Sequence, residues 1–339
     1  MPAQVFGLDI GRSFVKVAKV KVSGKKKLLE AASSIQSPAG GILSESPVDL
    51  KKLADSIKKC VDAAKIGSNK CAVSLLESQV VTRLIELPPL TDKELSAAMN
   101  WEAEQYIPLP MKDVNLKYKV VSRPETSGRD KMQVLLIAAP LRVIDKYLTV
   151  VKETGLTAAF MESESFALAR AFTKPQDPIT IIVSMGAVST ELVVTNMGSV
   201  LFTRSVATGG ISLTRAIMAE FNLPQDQAEQ YKEAYGIMED KLSGKVAAVL
   251  KPILDVLVSE ILKAAEFTHS ILIDNQAKRM IVCGGGSFLP GIIQYLAERT
   301  SMEVSFGDPW QDFEKEGQVM KMPGQGAVFA VATGLALGN

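Results

Sequence analysis

Two stretches of this chain, far apart along it, are built alike. Val5-Phe6-Gly7-Leu8-Asp9-Ile10-Gly11-Arg12-Ser13-Phe14-Val15-Lys16-Val17-Ala18-Lys19-Val20 sets two half-alternating, β-rich runs on either side of a short polar turn. Thr180-Ile181-Ile182-Val183-Ser184-Met185-Gly186-Ala187-Val188-Ser189-Thr190-Glu191-Leu192-Val193-Val194 does the same. Laid on each other without a gap, they put Gly11 on Gly186 and Lys16 on Glu191, and the apolar runs superimpose. Each stretch predicts strand, glycine turn, strand, and Gly11 sits where any other residue would be strained if the turn needs a positive φ. A single repeat at this distance points to two related halves, since solenoids repeat every 20 to 50 residues or roughly so.

The turns carry a chemistry as well as a shape. Short side chains and exposed N–H groups wrap an anion, and Arg12 or Lys16 adds positive charge. Asp9 is an acceptor, which beside a phosphate makes sense facing a hydrated Mg²⁺. Two such hairpins facing each other can clamp a polyphosphate. Farther along, Gly209-Gly210 precedes a helix expected from about Ser212, where paired glycines either allow backbone to approach a phosphate at a helix amino terminus or simply make a tight strand-to-helix turn. Gly284-Gly285-Gly286-Ser287 lies between an expected strand at 280–283 and a helix from Pro290, leaving room for a flat base or an α-phosphate.

Composition removes several function classes. At 339 residues the chain suits about two domains, each with its own core. With 47% hydrophobic and 22% charged residues it reads as soluble and globular, and a net charge of +1 gives no bulk attraction to nucleic acid. The lysines at 25–27 and at 51, 52, 58 and 59 read as solvated faces. Cys60, Cys71 and Cys283 lack metal-ligand spacing and are odd in number, which fits a reducing cytoplasm rather than a disulfide framework. His269 is the single histidine, so His-based triads and His-rich metal sites are excluded. No signal segment opens the chain and no run of about 18 apolar residues occurs, so no bilayer span is expected.

In chain order, 33–47 reads as a loop, 50–64 as a helix with Leu53, Ile57, Val61 and Ala64 on one face, and 71–76 and 80–87 as strands of the first core. Pro88-Pro89 marks a break. Thr91 with Glu94 forms a capping box for a helix through Trp101 to Tyr106, which Pro108 and Pro110 stop. Strands at 117–121 and 133–138 and a helix at 142–154 complete a small insert, and 162–172 reads as the helix joining the halves. After the second hairpin come a strand at 200–206, a helix carrying Leu213, Ile217 and Phe221 on one face, and a helix from Pro224 with Glu229 and Lys232 together. A long apolar helix at 246–273 is expected to kink at Pro252. The end reads as a strand at 304–306, a polar surface segment at 308–321, and a helix at 324–337 returning to the first core.

Three segments carry a narrower signal: Trp101-Glu102-Ala103-Glu104-Gln105-Tyr106-Ile107-Pro108, Glu162-Ser163-Glu164-Ser165-Phe166-Ala167-Leu168-Ala169-Arg170-Ala171, and Gly284-Gly285-Gly286-Ser287. In this order, over residues 5 to about 335, the chain resembles the type IV pilus assembly PilM family. That family is related to FtsA within the actin, Hsp70 and sugar-kinase superfold. The resemblance implies an α/β, actin-like ATPase fold with two related RNase H-like halves. It places a first core (1A) at 1–88, an inserted subdomain (1C) at 89–156, and a second core (2A) with the linking helix at 157–211. A 2B subdomain follows at 212–279, and 280–339 returns to the second core and packs its last helix on the first.

The same resemblance implies ATP or ADP with Mg²⁺. The nucleotide would meet Gly11, Arg12, Ser13, Lys16, Gly186, Ser189, Thr190, Gly209, Gly210, Gly284, Gly285, Gly286 and Ser287, with Glu229 and Lys232 against the ribose and adenine. Asp9 would face Mg²⁺ through water, and Glu164 would be aimed at the γ-phosphate and its attacking water. Trp101, Gln105, Tyr106 and Ile107 would hold the amino-terminal cytoplasmic peptide of PilN in a cleft between insert and first core. Trp101, Tyr106 and Ile107 equally suit the insert's own core. The implied setting is a cytoplasmic scaffold for pilus biogenesis and twitching motility, peripheral to the inner membrane through its partner. Pilus motor ATPases are further candidate partners, and self-association is allowed. FtsA-like proteins end in a basic amphipathic helix, whereas 327–339 carries no Lys or Arg.

One departure bears on turnover. The family's second hairpin begins with Asp, and here Ser184 stands in that place. A hydroxyl lacks the charge that helps place Mg²⁺ and water, which implies nucleotide binding with slow or absent hydrolysis. The alternatives are a small-molecule, sugar-type kinase of the same superfold and an FtsA-like division or filament protein, which fold alone does not separate.

Overall fold

The first glycine hairpin forms β1 (Phe6–Ile10) and β2 (Phe14–Ser23), antiparallel, with Asp9 opposite Lys16. A computed structural model describes residues 5–127, 130–271, 276–322 and 324–338 of the chain. β3 (Lys26–Gln36) extends the meander, so the loop expected from residue 33 starts later: alternation in the strand continues through Gln36. α1 (Pro47–Ala63) follows, burying Leu53, Ile57, Cys60 and Val61 against the sheet, and leads into β4 (Lys70–Leu75), parallel to β1.

Next come β5 (Val81–Leu87), α2 (Asp92–Glu104), β6 (Val114–Ser122), the short α3 (Pro124–Ser127), β7 (Met132–Pro140) and α4 (Leu141–Glu153). The expected capping box opens α2, with Thr91 Oγ1 accepting from the Glu94 N–H at 3.3 Å and Glu94 Oε2 from the Thr91 N–H at 2.8 Å. Two elements sit differently from their reading in the sequence. β5 pairs with β7, not with the first core, in a separate three-stranded sheet ordered β5-β7-β6. α4 leaves the insert and packs Val143, Tyr147, Val150 and Val151 into the first core beside α1. The insert is therefore β5, α2, β6 and β7, with Leu95, Met99 and Ala103 of α2 buried against Ile85, Leu87, Val134 and Leu136.

β8 (Thr157–Ser163) runs parallel to β4, and only then does α5 (Glu164–Phe172) begin. The second half repeats the scheme with β9 (Thr180–Met185), β10 (Thr190–Asn196) and β11 (Ser199–Val206) as an antiparallel meander. α6 (Gly210–Phe221), α7 (Gln225–Tyr235) and α8 (Lys245–Ile271) follow, with α8 continuous through Pro252. β12 (Arg279–Cys283), α9 (Ile292–Thr300) and β13 (Glu303–Phe306) close this half, both strands parallel to β9. The sheets read β3-β2-β1-β4-β8 and β11-β10-β9-β12-β13, the same order and the same strand directions. The hydrophobic repeat in sequence is a structural repeat.

The segment at 308–321 is not a polar surface strip. Its strand β14 (Glu314–Lys315) extends the first sheet beside β3, and Trp310 and Val319 are wholly buried with Phe313 close behind. The chain then enters α10 (Ala330–Ala336), which packs on β1, β2, β4 and α5, so that α5 and α10 lie between the two sheets. Contact there is backbone to backbone: a Cβ on Gly334 would stand 1.9 Å from the Ala167 carbonyl oxygen, and one on Gly7 would stand 1.9 Å from that of Ala332. Gly334→Ala should cost about 2–3 kcal/mol, because two backbones must part to admit one methyl group. Chemical denaturation should register it as a lower midpoint at unchanged slope.

Candidate functional site

Between the two halves lies a cavity of about 770 Å³, lined by both glycine turns, the start of α6, one face of α7 and the glycine run after β12. The turns are geometric copies. The Gly11 N–H donates to the Phe14 carbonyl at 3.0 Å, and the Gly186 N–H to that of Ser189 at 2.9 Å. Neither glycine has a positive φ, so the turn does not need one. Glycine is required because a Cβ would meet the turn's own carbonyl oxygen, at 2.7 Å in the first turn and 2.8 Å in the second. Among the described residues, the N–H groups of Arg12, Ser13, Ala187 and Val188 meet no acceptor. Four donors thus remain at the cavity's two facing lips, as an anion requires.

The paired glycines before α6 pack against the second hairpin, and Gly210 also lines the cavity. The Gly210 N–H donates to the Gly186 carbonyl at 3.0 Å and the Ile211 N–H to that of Ala187 at 2.8 Å, so the second hairpin takes the helix's first donors. A Cβ on Gly209 would stand 2.6 Å from Val188 backbone, which explains that glycine by close approach to the hairpin rather than to a phosphate. Gly284 does have a left-handed φ of 81°, and a Cβ there would meet the Met185 carbonyl oxygen at 2.5 Å. Gly285 has open space around it and lines the cavity. Thr190 and Ser287 are buried supports: their hydroxyls donate to the Thr208 carbonyl at 2.6 Å and the Gly284 carbonyl at 2.7 Å.

Lys232 and Glu229 form an ion pair on α7, closed by Thr214 of α6, whose hydroxyl lies 2.8 Å from each. Both line the cavity, so the pair belongs to the site as well as to helix packing. Arg12 is exposed at the opposite lip.

Carboxylates concentrate at the cavity floor. Asp9, 3% exposed, accepts from Lys16 Nζ at 3.0 Å and from Ser74 Oγ at 3.2 Å. Glu164, the first residue of α5, accepts from the Glu77 N–H at 3.1 Å, and Glu77 accepts from Ser165 Oγ at 2.5 Å. Burial, then the negative charges of Asp9 and Glu191, push the Glu164 carboxyl well above the ordinary carboxylate range. Burial pushes Glu191 up to about 7, against the pull of hydroxyls from Ser189 and Ser205. Among the described residues, no group of three or more His, Cys, Asp or Glu converges as a metal cage.

The family model described as type IV pilus assembly protein PilM matches residues 7–339. This chain belongs to the PilM family. Among solved structures, the PilM-PilN type IV pilus biogenesis complex matches with a TM-score of 0.83 at 28% identity, covering 99% of this chain and 98% of that one. Ethanolamine utilization protein EutJ from Carboxydothermus hydrogenoformans matches with a TM-score of 0.55 at 16% identity, covering 100% of this chain and 91% of that one. MreB5 of Spiroplasma citri, solved with AMPPNP, matches with a TM-score of 0.55 at 13% identity, covering 98% and 95%. The fold is the actin-like ATPase fold, and the chain is an actin-like member of a pilus assembly family.

The residues named for a PilM-type partner divide by burial. Trp101 is 67% exposed and Tyr106 40%, with Gln105 also exposed, so these side chains are not the insert's core. Ile107 is 4% exposed and packs among Leu95, Met99 and Val114, so of its two readings the insert's core is the one its burial supports. No described helix is long and apolar enough to cross a membrane.

Sequence reasoning missed Ser74, Glu77 and the weight of Glu191. Glu77 had a usable signal: it is a charged residue just past the buried run of β4, at the carboxyl end of a parallel strand where α/β sheets place their ligands.

Proposed function

We propose that this chain binds ATP or ADP in the cleft between its halves and holds the amino-terminal cytoplasmic peptide of a PilN-type membrane protein on its insert. It thereby acts as a nucleotide-dependent scaffold at the inner face of the pilus assembly platform. The observation that carries the nucleotide half is the pair of superimposable glycine turns, whose four unclaimed N–H groups border one cavity. AMPPNP in MreB5 of the same fold supports the class of ligand. The peptide half is supported by the match to a PilM-PilN complex and by Trp101 and Tyr106 standing in solvent on the insert, as interface anchors do.

Hydrolysis on this reading is slow or absent. Ser184 brings no charge to the second hairpin, and burial beside Asp9 and Glu191 raises the Glu164 carboxyl well above the ordinary carboxylate range, which disfavours the charged form that would accept a proton from water. Mg²⁺ fits as a hydrated ion held by phosphates and one or two carboxylates, since no protein cage is gathered for it among the described residues.

Calorimetric titration tests both halves. ATP and ADP should bind the unsubstituted protein, and Trp101→Ala or Tyr106→Ala should weaken the peptide about tenfold or more while changing nucleotide affinity less than about twofold. Absence of nucleotide binding rejects the first half; unchanged peptide affinity in folded variants rejects the second.

A further inference from the structure

The two hairpins match in backbone but not in charge. Across the first, ladder partners Asp9 and Lys16 form an ion pair at 3.0 Å. Across the second, the equivalent partners are Ser184 and Glu191. The repeat has therefore exchanged an acid–base pair for a hydroxyl–acid pair, and the acid now sits on the other strand of its hairpin. Glu191 is 8% exposed and lines the cavity. Both of its hydroxyl donors, Ser189 Oγ at 2.7 Å and Ser205 Oγ at 2.9 Å, converge on Oε1. Oε2 is buried and meets no hydrogen-bond partner at all.

A buried carboxylate oxygen without a donor is costly, and each such atom in a folded chain asks for a reason. Here the reason lies in what the cavity takes up. Across it stand Asp9, Glu77 and Glu164, while Lys16 is committed to Asp9 and Lys232 to Glu229. No ion pair engages Glu191 among the described residues. A cation arriving with a polyphosphate would supply the missing positive charge, and a hydrated divalent ion would supply the missing donors through its water.

We propose that the Glu191 carboxylate, one oxygen of which has no donor, is the second half's acid toward a hydrated divalent cation that enters with the nucleotide, taking from β10 the charged place that Ser184 leaves empty on β9. This rests on the nucleotide reading above. It makes Glu191 a positioning residue for the metal, distinct from any group that touches the reacting atoms.

The test uses the full chain with Mn²⁺ as the probe, reading free Mn²⁺ by electron paramagnetic resonance with ATP present, and ATP binding by calorimetry in EDTA. Glu191→Gln should weaken Mn²⁺ retention by the protein–ATP complex about tenfold or more, with metal-free ATP affinity unchanged or tighter. Glu191→Ser, which matches the hydroxyl opposite it, should show the same loss and stands in should the first variant not fold. Ser184→Ala should leave Mn²⁺ retention within about twofold. Retention unchanged in the Glu191 variants, or an equal loss in Ser184→Ala, overturns the proposal while leaving nucleotide binding intact. Failure of the unsubstituted protein to bind ATP in either medium overturns the nucleotide reading and the proposal with it.

Discussion

Trp310→Ala is expected to destabilise the chain by about 3–5 kcal/mol, the range for truncating a fully buried large aromatic. The side chain has no solvent exposure and stacks on Phe329 with ring centroids 4.8 Å apart. Its Nε1–H donates to Thr333 Oγ1 at 2.8 Å, so truncation also strips a buried hydroxyl of its donor. Val20, Leu29, Phe313 and Val319 complete the packing, which ties 308–322 and α10 to the meander β1–β3. Since α10 lies against β1, loosening here reaches the strand that carries Asp9. Thermal melts should show a drop of several degrees, and Trp310→Phe, which keeps much of the packing but not the donor, should lose about 1–2 kcal/mol. A neutral Trp310→Ala would mean that the segment contributes nothing to the first core.

That same tryptophan shows where sequence reading stops. Its neighbours Asp308, Pro309, Gln311 and Asp312 give the segment a polar pattern, and what buries it is pairing of β14 with a strand from the start of the chain. No local window contains that partner. β8 went unread for a related reason: Thr157-Ala158-Ala159-Phe160-Met161-Glu162-Ser163 has little β-branched character, and its strand exists because β4 offers a parallel edge. The two hairpins were legible because alternation, turn and pairing all lie within one short stretch, and so the two-half architecture was legible too. The cavity's glycines were found by type but not always for the right cause. In sequence, a glycine that lets a helix touch a hairpin looks like one that lets a phosphate touch a helix, and Gly209 is the first kind. On the insert, the sequence leaves Trp101 and Ile107 the same two readings, partner surface or core, and the chain's turn after α2 separates them by leaving one in solvent and the other buried.

The ligand-free protein is expected to be more stable near pH 6 than near pH 8, the reverse of the usual behaviour of paired carboxylates. Glu164 and Glu191 both have folded-state values raised above the 4.5 of an exposed glutamate, Glu191 to about 7. A raised value means that the folded state binds the proton more tightly than the unfolded chain. For Glu191 the resulting stability is complete below about pH 4.5 and is lost as pH rises through about 7. For Glu191 the rise corresponds to on the order of 3 kcal/mol, at about 1.4 kcal/mol per unit. Opposing carboxyls exist: Glu45, Glu239 and Asp255 are held low by hydrogen bonds and nearby cations and Glu94 by hydrogen bonds from Thr91, and their stability is lost as pH falls below 4.5 for the glutamates and below 3.8 for Asp255. Their window lies on the acid side, so the two sets leave a maximum near pH 4.5 to 5, roughly where one set stops contributing and the other begins to be lost. Melting temperatures measured from pH 5.5 to 8.5 should decline across that range, and Glu191→Gln should flatten the decline by removing one titrating group. A bound divalent ion with nucleotide should flatten it as well, because a cation beside the carboxylates favours their charged forms. A flat profile in the unsubstituted, ligand-free chain would mean that burial in the cleft does not hold the Glu164 and Glu191 carboxyls above their exposed values.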